Sequence, residues 1–288
     1  MAYLQKASKG NVRHCEIFFD PQTHMIERNN ISIETVVNGL HRACQAGKSL
    51  DPPVDAHLIL CFLRHRHPGC AWASPPATKN EALDLLQTLI DSDDDLLGKI
   101  IGVGLDSSER DNPPEIFKDV FRLAKKVGLR CVAHAGEEGP SSYITDALDI
   151  LGCERIDHGV RCLESDAVVE RLVSEGIPLT VCPCSNHQLQ VISRYFSGEN
   201  PVRTMMSRGL KVTLNGDDPA YFFGHEDKFG QTHGGYIESN YLATAKECAL
   251  TADELVKLAL NSFESSFISN VQMQEYRGMV KEYCANFQ

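Results

Sequence analysis

The stretch Arg130-Cys-Val-Ala-His134-Ala-Gly-Glu137-Glu-Gly139 is a short apolar run that closes on a histidine and passes into an acidic loop bounded by glycines. The apolar part does not alternate with polar residues, which is the pattern of a parallel strand covered on both faces. Working outward, the same pattern recurs at Arg13–Phe19, Ala56–Arg64, Ile100–Leu105, Arg155–His158, Leu179–Cys184 and Lys211–Asn215. These runs are short and rich in Val, Ile and Leu.

Helical periods fill the intervals. Ile33–Ala46 carries apolar residues at Ile33, Val36, Val37, Leu40 and Cys44, and Glu115–Val127 aligns Ile116, Val120, Leu123 and Val127. Tyr143–Leu151 and Asp166–Glu175 read similarly, with Gly47, Gly128 and Gly176 placed as helix ends. Thr251-Ala-Asp-Glu254 is a capping box opening a C-terminal helix. Alternating strands and helices predict an α/β protein with right-handed parallel crossovers. Seven strands are one short of the eight in a closed barrel. An open doubly wound sheet usually has five or six, so either one strand is unrecognised or one is not present, in a single domain over residues 1–288. Pro68–Lys79 and Phe223–His233 read as insertions at the catalytic mouth.

A formal charge of -11 argues against a nucleic-acid partner, and no run of 18 apolar residues or signal peptide points to a membrane. The eleven cysteines form no paired framework. Several lie inside apolar runs, and Cys182 and Cys184 are expected as buried strand thiols rather than a metal pair. A cytoplasmic setting follows, with the nucleus as the alternative compartment.

Polar residues collect where the strands end: His65, Asp106, His134 with Glu137, Asp157 with His158, Ser185 with Asn186, and Asp217 with Asp218. In a β/α barrel these ends share one mouth. A single buried polar group is usually structural, but repetition over five or six strands favours a site. His134 and Asp217 supply a nitrogen and an oxygen ligand suited to zinc. Glu137 lies where a carboxyl reaches substrate without binding metal, and His158 can orient or deprotonate water. No nucleophile elbow, Walker loop or dinucleotide fingerprint is present, and Gly136–Gly139 is too acidic to hold phosphate.

His134-Ala-Gly-Glu-Glu-Gly-Pro140, Arg155-Ile-Asp-His-Gly159, Val181-Cys-Pro-Cys-Ser-Asn186 and Asn215-Gly-Asp-Asp-Pro219 resemble, in order, the motifs of the adenosine/adenine deaminase family. Glu16-Ile-Phe-Phe-Asp-Pro-Gln-Thr-His24 is similar to the signature of its adenine deaminase branch, notably the fungal type. The resemblance runs from about Asn11 to Phe267. It implies a (β/α)8 TIM-type barrel of the metal-dependent hydrolase kind whose first strand is missing from this sequence, and zinc-dependent conversion of adenine to hypoxanthine and ammonia in purine salvage. His134 and Asp217 are then metal ligands, Glu137 donates a proton to the purine ring, His158 positions the attacking hydroxide and Asp218 binds a ring nitrogen. The branch signature favours the free base over adenosine, and another 6-aminopurine is the remaining alternative substrate.

The sequence departs from the family twice. Gly216 stands where Ser is usual, which is expected to loosen Asp217. The family's opening His-x-His, two zinc ligands, is not in this sequence, so weak metal retention and impaired turnover are expected. A catalytically inactive paralogue acting by protein association, through open barrel edges, is the rival from another class. His65-Arg-His67, His225 and His233 are not expected to replace the pair, and His24 is not expected to bind metal.

Overall fold

In the computed structural model, the described residues are all except 29, 69, 71–76, 78, 93–94, 228 and 287–288. Most of the first insertion, Pro68–Lys79, falls outside them. The chain divides into two compact units, Met1–Glu154 and Arg155–Gln288.

The first unit holds β1 (His14–Phe19), β2 (Asp55–Leu63), β3 (Gly102–Asp106) and β4 (Arg130–Ala135), side by side in that order. All three pairings are parallel, with Phe19 level with Leu60 and Leu63 with Asp106. Leu58 through Phe62 are buried without interruption, as a strand covered on both faces requires. Ile33, Val37 and Cys44 of helix Ile33–Gly47, Leu86 and Leu89 of helix Glu81–Ile90, and Val120, Phe121 and Ala124 of helix Lys118–Lys126 are buried too. Phe62 meets Phe121 edge to face at 6.1 Å. Each such ring contributes roughly 1.5–3 kcal/mol of burial.

The second unit holds β5 (Arg155–His158), β6 (Pro178–Val181) and β7 (Lys211–Leu214), again parallel and in order. Helix Asp166–Glu175 ends on Gly176 at φ 66, and the predicted capping box at Thr251 is formed with Glu254.

Strand cores match the apolar runs, and the differences lie at the ends. β6 stops at Val181 because Pro183 begins a helix, Pro183–Gln188. Cys182 and Cys184 are therefore not two residues of one strand, although both are buried free thiols. Glu115–Val127 divides into a 3-10 turn, Pro114–Phe117, and an α-helix, and Tyr143–Leu151 passes from α-helix to π-helix at Ala147. Gly47 ends its helix from inside, and Lys48 caps it in right-handed geometry. The second insertion folds as a small antiparallel hairpin, β8 (His225–Glu226) with β9 (Thr232–His233). Among the described residues no helix is long and apolar enough to cross a membrane.

Candidate active site

Parallel strands put their carboxyl ends on one edge, so in the first unit Asp20, His65, Asp106 and His134 leave the sheet on the same side. The acidic loop after β4 is organised by a residue from the loop after β3. The carboxylate of Glu109, 1% exposed, accepts from the backbone N–H of Gly136 at 2.9 Å, Glu137 at 2.8 Å and Gly139 at 3.1 Å. Gly139 is glycine for a reason of space, since a Cβ there would lie 2.3 Å from Glu109 Oε2. The loop's amides thus face an anion, but the anion is the protein's own.

This arrangement separates the two adjacent glutamates. Glu138 turns to the surface side, accepting from Ser108 Oγ at 2.9 Å and pairing with Arg110 at 3.3 Å. Glu137 is 7% exposed. Arg64 is completely buried and donates to the carbonyls of Asn112, at 2.6 Å, and His134. The His134 ring lies 5.7 Å from that of Phe18, a residue of the branch signature. Asp20 and Asp106 share a hydrogen bond, and burial pushes the Asp20 carboxyl above its ordinary range.

In the second unit, His158 ends β5 with its backbone at φ 61, and Asp217 follows β7 at φ 54. Both are left-handed conformations that side-chain-bearing residues seldom adopt, and such strain concentrates at functional positions. The side-chain amide nitrogen of Asn186 lies 3.1 Å from His158 Nδ1. His158 Nε2 faces Asp217 Oδ2 at 3.8 Å, too long for a hydrogen bond. Asp218 is exposed, and its carbonyl accepts from the backbone N–H of Tyr221 and Phe222.

Gly216 has no left-handed φ, and the strained residue is Asp217 itself. The turn is instead braced from outside: a Cβ on Gly235 would lie 2.2 Å from the Pro219 carbonyl oxygen. Asn240, fully buried, donates to the carbonyls of Gly235 and Tyr236 and accepts from Cys184 N–H. It ties the helix carrying Asn186 to the segment backing Asp217.

Other polar residues singled out from sequence make hydrogen bonds within their own unit. His67 uses Nε2 on Asn112 and Nδ1 on the Pro68 carbonyl, both at 2.8 Å, and His65 bonds Ser107 Oγ. His233 is buried against Asp227 at 2.9 Å. Asp157 accepts from Thr180 and lies beside Arg155, so it serves the interior of the second unit. Glu109, Arg64 and Asn240 escaped the sequence reading. So did a group at the amino ends of β1 and β2: His14, Asp55 and His57, whose donor atoms lie within 4.8 Å of one another.

Residues 1–283 match the Adenosine deaminase family. An adenine deaminase of Cupriavidus metallidurans is 44% identical over 98% of this chain and 71% of its own length. Among solved structures, adenine deaminase from Arthrobacter aurescens is 40% identical, with a TM-score of 0.84 over 99% of this chain and 77% of that one. A zinc-bound amidohydrolase from Burkholderia ambifaria, 24% identical, shares the fold at a TM-score of 0.78 over 99% of this chain and 73% of its own. The fold class is therefore the α/β barrel type expected, and the chain belongs to the adenosine deaminase family.

Proposed function

We propose that this chain catalyses hydrolytic deamination of adenine, with water consumed and hypoxanthine and ammonia released, and that zinc is its metal. The observation carrying the reading is 44% identity with an adenine deaminase over 98% of the chain. It is supported by the order in which imidazole, carboxyl and amide groups follow the strand ends in both units.

The donor chemistry suits zinc. His134 and Asp217 would hold the ion as nitrogen and oxygen ligands. Bound zinc supplies a Lewis acid that acidifies water toward neutral pH. Glu137, shielded from solvent and held by its own backbone N–H on Glu109, gives a proton to the purine ring and makes its amino-bearing carbon electrophilic. His158, its ring held by the Asn186 amide at Nδ1, orients the attacking water. Asp218 accepts from a ring N–H and fixes the base. The partner is a small purine. The same reading puts the enzyme in the reducing cytoplasm, in keeping with eleven free thiols.

The test is hypoxanthine release from adenine and from adenosine by the purified chain loaded with zinc. Preferred turnover of adenine is expected. No hypoxanthine at saturating zinc would overturn the reading.

A further inference from the structure

We infer that Glu109 is a positioning residue for deamination: a buried carboxylate that fills the amide cradle of residues 136–139 and so fixes the carboxyl of Glu137. The inference rests on Glu137 as the proton donor. A loop of successive N–H groups facing inward is an anion-binding concavity. In this chain all three donors converge on one side chain, at 2.8–3.1 Å, and that side chain is 1% exposed. A buried carboxylate with no counter-charge is costly. Arg64, wholly buried and attracted to both Glu109 and Asp106, supplies it while holding the His134 carbonyl. Arg64 and Glu109, both buried, thus hold the strand end that carries His134 and the loop that carries Glu137. Glycine at 139 permits this close approach, since a Cβ there would lie 2.3 Å from Glu109 Oε2.

Glu109→Gln keeps the shape but replaces one acceptor oxygen by a donor that faces backbone N–H groups. Misplacing a reacting group by about 1 Å costs on the order of 100-fold in rate. Glu109→Gln in the full chain is expected to lower kcat about 10–100-fold with KM within about threefold, while Glu109→Asp recovers part of the loss. Amide hydrogen exchange supplies a readout that does not depend on activity. Peptides covering 132–141 should exchange faster in Glu109→Gln, with the β1–β3 core unchanged. If the wild-type chain fails to deaminate adenine, the functional proposal falls, but the exchange measurement still tests the cradle. Unchanged exchange at 136–139, a general rise across the first unit, or a kcat loss matched by the unfolded fraction would overturn the inference. If Glu109→Gln does not fold, Glu109→Asp is read in the same two ways, with a smaller but local increase expected.

Discussion

The two neighbouring glutamates of the β4 loop have the same chemistry and opposite surroundings. Glu137 is enclosed, whereas Glu138 pairs at the surface side with Ser108 and Arg110. Glu137→Gln should therefore reduce kcat by about 10²–10⁴-fold, and Glu138→Gln by no more than a few-fold, in a hypoxanthine-release assay. Equal losses would place the proton donor wrongly. A second residue-scale consequence concerns His14. Burial opposes its charge, yet hydrogen bonds to Asp55 and Glu16 outweigh this and raise its pKa above the usual 6.5. Asp55 is held well below the ordinary carboxylate range, chiefly by His14, with burial opposing and His57 adding to the effect. A raised histidine stabilises below its unfolded value and loses that contribution as pH climbs through its folded value. A lowered aspartate does so above its unfolded value and loses it on acidification. The cluster's contribution is thus complete between about pH 4 and 6.5. The Tm gap between wild type and His14→Gln should be widest near pH 5 and shrink toward pH 8; a gap that grows with pH contradicts it. His134, Glu137 and His158 were legible because each sits at or just after a recognisable apolar run. Glu109 was not, because its partners lie 27 to 30 residues along the chain and are backbone groups, which carry no side-chain signature.

The elements of regular structure were the most legible part of the molecule, since buried parallel strands advertise themselves as unbroken apolar runs. Arg155–His158 and Asp166–Glu175 coincide with the sequence reading residue for residue. Where the reading went astray, a local device had overruled hydrophobicity: Pro183 cut β6 short, and a π-helical turn replaced the end of an expected α-helix at Ala147. The hairpin after β7 was visible only as a polar stretch, because two-residue strands have no period to detect. The turn bearing Asp217 depends on an element that sequence did not connect to it, the segment before helix Ile237–Glu247. Gly235→Ala forces Cβ into the Pro219 backbone. It should cost about 1–3 kcal/mol of stability, as overpacking does. It should also lower zinc content and kcat together, read by metal analysis and turnover. Full metal content with wild-type turnover would show that the contact does not govern the turn.

For the whole molecule, a metal held by residues of the folded chain ties stability to metal concentration. Removing zinc with a chelator should lower Tm and abolish hypoxanthine release, and zinc should restore both. At a free concentration 100 times Kd the shift amounts to about 2.7 kcal/mol. A Tm indifferent to zinc would mean that the metal contributes nothing to the fold. Ser107, His158 and Asp217, each just at a strand's carboxyl end, hold the backbone on the left-handed side, where only glycine sits without penalty. Glycine at any of them relieves about 1–3 kcal/mol of strain. A library screened for heat resistance with zinc withheld would thus favour glycine at 158 and 217 and return proteins that have lost their imidazole and carboxylate. Thermal selection and catalytic selection pull these positions in opposite directions, so engineering this enzyme for endurance must hold both fixed from the outset.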